Sequence, residues 1–365
     1  KRFTCQAKLC YLFNNLILPQ MNKNKRINIV GLAQKLGLSV SSVSRALNGY
    51  DNISQSTKDK IFRTAKKYNY FPDLNAKRLA SKKNDTIAFI SAIDPDAPDH
   101  VVLQFLAGIT LGIKKTNTEL ITKFCLNEEE EMNYFKNLIS TGQADKFIFY
   151  RIKKNDERVN YLNQRGIKFV TWGRTNKQTE HAWIDLDNRK SIEILMNKLS
   201  TNGHKRIAFI NVHHSFNYGA QRKRAYESLI NKLKLKSSKE YYQDSLIETV
   251  ESGSAMTGYL LSLRNPPTAI ICSHLRFFTG CLLRCQELKL EVGKDISVVG
   301  FNDQDSYLSS QNLTYISHPL MEMGKQSVKI LQDLDQNFSV NKVSTLIEPI
   351  LNEGTSDKIK KSKLR

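Results

Sequence analysis

The chain has 365 residues, with 55 Lys+Arg against 35 Asp+Glu, a formal net charge of +20, 40% apolar residues and six cysteines. That is two or three domains of ordinary globular composition and excludes a disordered, collagen-like or disulfide-scaffold chain. No apolar run, Ile87 to Ile93 included, reaches the roughly 18 residues of a membrane-spanning helix, so no membrane-spanning segment is expected; a cytoplasmic protein with reduced thiols and no membrane partner is the expectation.

Residues 1–86 carry 17 Lys+Arg against 4 Asp+Glu, residues 87–353 carry 33 against 30, and the tail from Gly354 carries 5 against 1. A small basic domain joined to a large near-neutral one suggests a nucleic-acid module attached to a part that does not touch nucleic acid. Residues 1–20 run through Leu9 to Pro19 with Asn14 and Asn15 interrupting the apolar stretch, unlike the unbroken core of a signal peptide. They read as a leader ahead of a true start at Met21, with a disordered natural extension as the alternative.

Regular patterning begins at Asn28, placed to cap a helix that carries Ile29, Leu32, Ala33 and Leu36 on one face and ends at Gly37 in a left-handed turn. Ser39 then caps a second short helix, Val40 to Leu47, whose Val43, Ala46 and Leu47 can pack back on the first. This is a helix-turn-helix layout, in which the second helix presents its outer face to the DNA major groove. That face carries Val40 for a thymine methyl, Ser41 and Ser44 for phosphates or base edges, and Arg45 for a guanine edge. Any three-helix bundle needs similar spacing, so the helix pair alone leaves both readings open. Ser54 caps a third helix with Thr57, Ile61, Ala65 and Tyr68 inward and lysines between, and Pro72 stops it.

Ala33 to Asn48, Ile53-Ser54, Tyr70-Phe71-Pro72 and Ala76-Lys77-Arg78-Leu79-Ala80 together resemble the DNA-binding domain and hinge of the LacI/GalR family of repressors. The resemblance implies a helix-turn-helix domain over 21–73 and a hinge helix with linker over 74–85. It implies operator contacts from Asn28, Ser39, Val40, Ser41, Ser44, Arg45, Asn48, Ala76, Arg78 and Leu79. In that family the residue at the Leu79 position wedges into the minor groove at the centre of a palindromic operator, and the hinge folds only in the dimer on DNA. An apolar wedge of this kind trades base unstacking for a kinked duplex that meets more protein.

From Thr86 onward, β-like runs alternate with helical stretches. Strands are expected at Ile87–Ile90, Lys146–Tyr150, Lys168–Thr171, Arg206–Ile210, Thr268–Ile271 and Ile296–Val299. Helices are expected at Val101–Lys115, Asn188–Ser200, Ala220–Leu233 and Phe277–Leu288. Such alternation predicts α/β lobes with parallel sheets. No nucleotide, hydrolase or metalloprotease motif is present, so no enzyme, cofactor or catalytic residue is expected. Glu128 to Glu131 read as a solvated face at a helix start. His213 and His214, adjacent on a strand, should point to opposite faces and sit at a loop rim. Cys281 and Cys285 can share a helix face, but two thiols make no metal site; Cys5, Cys10, Cys125 and Cys272 add no CxxC pair.

Trp172-Gly173-Arg174, Trp183 to Asn188, Gly203 to Ile207, Arg222 with Tyr226, Asp295 to Asp303, and Leu313 to Pro319 with Met323-Gly324 are similar to the same family's sensor core. The resemblance implies a two-lobed core like that of periplasmic sugar-binding proteins, over 86–352. Its first lobe would be 86–186 with 320–339 and its second 187–319 with 340–352, leaving a basic tail at 353–365. A small sugar or phosphosugar effector would lie between the lobes on Arg222, His274 and Asn302. His274-Leu275 and Asn302 depart from the family pattern of Asn-Asp and Asp, which suggests a pocket short of negative charge and tolerant of an anion. The expected protein is a dimeric, nucleoid-associated repressor of carbohydrate-utilisation genes. A sugar-binding transport protein, or a regulator with a degenerate sensor, is the alternative.

Overall fold

The computed structural model describes residues 27–47, 50, 52–70, 85–93, 100–176, 181–302 and 311–358. The chain divides into a unit ending at Asn84 and a unit beginning at Asp85. Of the expected positions, the leader, Asn48, Ala76, Arg78, Leu79 and most of the hinge lie outside the described residues.

In the first unit, α1 (Ile29–Leu36), α2 (Val40–Leu47) and α3 (Gln55–Lys67) close around Leu32, Val43, Ala46 and Ile61, all fully buried. Asn28 Oδ1 accepts from the Gly31 N–H at 2.9 Å, and Gly37 ends α1 at φ 67°. Ser39 Oγ accepts from the Ser42 N–H at 3.1 Å, and Ser54 Oγ accepts from the Thr57 N–H at 3.4 Å. Each cap satisfies an amide that the first turn leaves without a helical partner.

The second unit holds two sheets. The chain first runs through β1 (Thr86–Ala92), α4 (His100–Ile113), β2 (Glu119–Cys125), α5 (Glu128–Ser140), β3 (Lys146–Tyr150), α6 (Glu157–Gln164), β4 (Lys168–Trp172) and β5 (Ala182–Leu186). It crosses over into α7 (Asn188–Thr201), β6 (Ile207–Val212), α8 (Asn217–Lys232), β7 (Tyr242–Ser245), α9 (Val250–Ser262), β8 (Ala269–Cys272), α10 (Leu275–Glu287), β9 (Ser297–Phe301) and β10 (Thr314–Ser317). It returns through α11 (Leu320–Asp335), α12 (Val340–Val343) and β11 (Thr345–Ile347), then ends in β12 (Ile350–Asn352).

The first sheet has strand order β11-β5-β4-β3-β1-β2 and the second β12-β10-β9-β8-β6-β7. Pairing is parallel throughout except for β12 on β10. The central strands β1, β3, β6, β8 and β9 read as apolar runs because helices cover both faces, whereas the edge strand β2 is half exposed and more polar.

The C-terminal lobe boundary differs from expectation. Residues 340–347 belong to the first lobe, since Leu346 pairs with Asp185 and Val343 is buried in that lobe's core. The tail differs as well. Ser356 and Asp357 are buried: Ser356 Oγ accepts from the Thr314 N–H at 2.9 Å, and Thr314 Oγ1 donates to Asp357 Oδ1 at 2.6 Å. Nor is the Glu128–Glu131 run wholly solvated. Glu131 is 2% exposed and accepts from Arg158 Nη1 at 2.8 Å, because the helix turns its fourth residue inward.

In the first lobe, α4 and α11 cross backbone to backbone. A Cβ on Gly108 would stand 2.0 Å from the Met321 carbonyl oxygen, and one on Gly324 2.1 Å from that of Phe105. Only glycine permits this approach.

Candidate functional site

Parallel strands end on one side of each sheet, and the residues just past those ends form a cleft. The first lobe supplies Tyr150 and Arg151 at the end of β3, Trp172 and Gly173 at the end of β4, and Asp185 from β5. The second supplies Asn188, Arg222, Glu248, Ser273, His274, Phe301, Asn302 and His318. The cavity is about 110 Å³, far more than the roughly 10–15 Å³ that one water needs.

Arg222, on α8, is 5% exposed and held from two sides. Its Nε donates to Asn188 Oδ1 at 2.8 Å and its Nη1 to the Ser273 carbonyl at 2.9 Å, while the guanidinium lies 3.9 Å over the Phe301 ring. Burial lowers its pKa to about 10, which still leaves it charged near neutrality. Asn188 in turn donates from Nδ2 to Asp185 Oδ1 at 3.2 Å, and Asp185 Oδ2 lies 3.0 Å from Arg174 Nε. Burial pushes Asp185 up to about 6, against the pull of Arg174 and Arg222. Burial, with help from Arg222, drives His318 down to about 3, so this imidazole is neutral.

Arg151 and Glu248 join the lobes across the cleft. Arg151 Nη1 donates to Glu248 Oε2 at 2.6 Å, and its guanidinium lies 4.6 Å over Phe216 of the second lobe. Burial disfavours a charged Glu248, yet the Arg151 guanidinium holds its pKa below the ordinary carboxylate value. Glu248 Oε1 is buried with no hydrogen-bond partner among the described residues. His274 caps α10 by accepting from the Arg276 N–H at Nδ1, 3.3 Å away, and its Nε2 stands 3.8 Å from Glu248 Oε2.

Arg222, His274 and Asn302 therefore line one cavity, and all three come from the second lobe. The expectation of a cleft short of negative charge is corrected, since Asp185 and Glu248 both line it. Glu248 sits in an unpatterned segment between β7 and α9, where sequence carries no motif to mark it. Tyr150 and Phe105, which stack on Trp172 at 5.5 and 4.8 Å, were equally unmarked because core aromatics look the same in sequence.

On the first unit, Asn28, Ser39, Val40, Ser41 and Arg45 are exposed and Ser44 is half-buried. Ser39, Val40, Ser41, Ser44 and Arg45 stand on or just before α2, away from the Val43 and Ala46 contacts, and Asn28 caps α1.

A family model described as bacterial regulatory proteins, lacI family, matches residues 28–73, and one described as a periplasmic binding protein-like domain matches 196–356. The chain is 27% identical over 290 residues to the HTH-type transcriptional regulator AglR of Rhizobium meliloti (strain 1021), covering 79% of this chain and 81% of that protein. It is 26% identical over 340 residues to the HTH-type transcriptional regulator RafR of Escherichia coli, covering 90% of this chain and 98% of RafR. Among solved structures, the lac repressor dimer bound to operator and the anti-inducer ONPF superposes with a TM-score of 0.80 at 20% identity, over 92% of this chain and all of that one.

Proposed function

The chain belongs to the LacI family of bacterial regulatory proteins, and from that membership we propose that it is a homodimeric repressor of carbohydrate-utilisation genes whose grip on a palindromic operator is set by a small neutral sugar in the cleft. The observation that carries the effector class is the pairing of an aromatic wall with buried carboxylates. Tyr150 and Trp172 offer flat apolar faces to sugar C–H groups, Asp185 and Glu248 accept from hydroxyls, and the guanidinium of Arg222 donates to them. A phosphosugar would bring its charge against Glu248 and Asp185, so the neutral parent is favoured.

α2 enters the major groove, with Arg45 reading a base edge and Ser39, Ser41 and Asn28 placed for phosphates. Leu79, outside the described residues, is the proposed minor-groove wedge of the hinge, flanked by Ala76 and Arg78. Dimerisation is supported by α4, which is apolar around its circumference yet leaves Leu103 64% and Leu111 49% exposed. The location that follows is the cytoplasm, on the nucleoid; no helix among the described residues is long and apolar enough to cross a membrane.

The test is operator selection from random DNA, followed by titration of the complex with neutral sugars and their phosphate esters. A palindromic site, released or tightened by a neutral sugar, is the expected result. No preferred site, or a response to phosphate esters alone, would contradict the operator reading or the effector reading respectively.

A further inference from the structure

Outside the cleft, the end of β6 and the end of β7 bring together a second set of side chains that the regulatory reading leaves unused. β6 stops at Val212, and the chain turns at once, so His213 and His214 do not diverge to opposite faces as neighbours on a strand would. Their ring centroids stand 4.3 Å apart. Parallel pairing of β6 with β7 sets Asp244 beside this turn, and His214 Nδ1 lies 2.6 Å from Asp244 Oδ2. One potential ligand atom from each of His213, His214 and Asp244 falls within 4.8 Å of the others.

We propose that His213, His214 and Asp244 bind a divalent transition-metal ion of the zinc, cobalt or nickel class, beside the seam between the lobes. Two imidazoles and one carboxylate suit borderline-soft ions, whereas magnesium and calcium prefer all-oxygen sites. Tetrahedral zinc with bonds of about 2.0–2.2 Å holds its ligand atoms roughly 3.3–3.6 Å apart, so side-chain rotation of about 1 Å completes the site. Three protein ligands leave the fourth position to water.

Two of the three ligands have an outer partner in place. His213 Nδ1 is 2.9 Å from Ser215 Oγ, which leaves Nε2 to face an ion. The Tyr242 hydroxyl donates to Asp244 Oδ2 at 3.1 Å, and Asn211 Nδ2 donates to the Tyr242 oxygen at 3.1 Å. Such outer hydrogen bonds orient metal ligands and raise their basicity. None of the three side chains is fully buried, so an ion can enter from solvent.

Position gives the site a consequence for the sensor. The turn that carries the histidines continues into the strip binding the first lobe, where the Lys154 N–H donates to the Ser215 carbonyl at 3.4 Å and the Asn217 N–H to the Ile152 carbonyl at 2.9 Å. An ion that fixes residues 213–215 therefore braces this contact between the lobes.

The experiment is titration of the metal-free full-length chain with Zn(II) and with Co(II), reading heat, the unfolding midpoint and the visible spectrum of Co(II), with Mg(II) as control. One ion per chain should bind, raise the midpoint and give a Co(II) spectrum with nitrogen and oxygen ligands and no thiolate band. His214→Gln and Asp244→Asn should each weaken binding about a hundredfold or more, and Ser215→Ala about tenfold. Circular dichroism of the metal-free variants checks that they fold, and His213→Gln is the replacement for either that does not. Absence of saturable Zn(II) binding, or binding unchanged in the folded variants, overturns the proposal.

Discussion

Arg222 donates its Nε–H to Asn188 Oδ1 at 2.8 Å, and Asn188 in turn donates to Asp185 Oδ1 at 3.2 Å, so the cleft cation and the cleft acid share one intervening amide. Nothing between them is free to rotate without breaking a buried hydrogen bond. Arg222→Ala leaves Asn188 Oδ1 and the Ser273 carbonyl without their donor, at an expected cost of about 3 kcal/mol in urea unfolding. Arg222→Lys keeps the charge but cannot serve both acceptors and stack on Phe301 at once, so sugar titration should show most of the affinity lost. Unaltered sugar binding in the lysine variant would remove Arg222 from the effector site.

Arg45 is exposed and makes no contribution to the Leu32–Val43–Ile61 core. Arg45→Ala should therefore leave the unfolding midpoint in place while costing about 1–3 kcal/mol of operator affinity and relaxing preference at one base pair per half-site. Anisotropy titrations on operator and random duplexes separate the outcomes, because equal losses on both would reduce Arg45 to a phosphate contact.

His204 sits between Thr268 Oγ1 at 3.0 Å and Ser297 Oγ at 2.9 Å, and burial lowers its pKa from 6.5 to about 4. The folded state holds the ring neutral while the unfolded chain takes up a proton below 6.5. Its stabilisation is thus complete above pH 6.5 and is lost as pH falls through about 4. The loss should total about 3 kcal/mol for a shift of this size. Urea midpoints measured from pH 7.5 to 4 should fall, and His204→Gln should flatten the slope over that window.

Much of this was legible beforehand because local chemistry left little choice. Asn28, Gly37, Ser39 and Ser54 mark helix ends by hydrogen bonding and backbone conformation that few other residues supply, and the central strands stand out as apolar runs. β2 and β7 were missed, since an edge strand with polar residues on its open side lacks the apolar run. Glu248 and Tyr150 were missed because their role comes from which strand ends the topology places together. Alternation along a strand misled for His213 and His214, because β6 ends one residue before them.

Gly324→Ala should push α11 away from α4, since its Cβ would meet the Phe105 carbonyl oxygen at 2.1 Å and backbone cannot yield as a side-chain tip would. A loss of about 1–3 kcal/mol is expected by thermal unfolding. Leu103 and Leu111 ride on α4, so sedimentation should also report a weakened dimer.

The last fourteen described residues are shared between the lobes: β11 closes one sheet beside β5, and β12 closes the other beside β10, before Asp357 is buried against Thr314. During synthesis, then, neither sheet can finish until residues 345–352 have left the ribosome, and both wait with an open edge. Open edges invite pairing with other chains. A premature stop before residue 345 would accordingly leave the helix-turn-helix tethered to two unfinished, aggregation-prone sheets, each missing its closing strand.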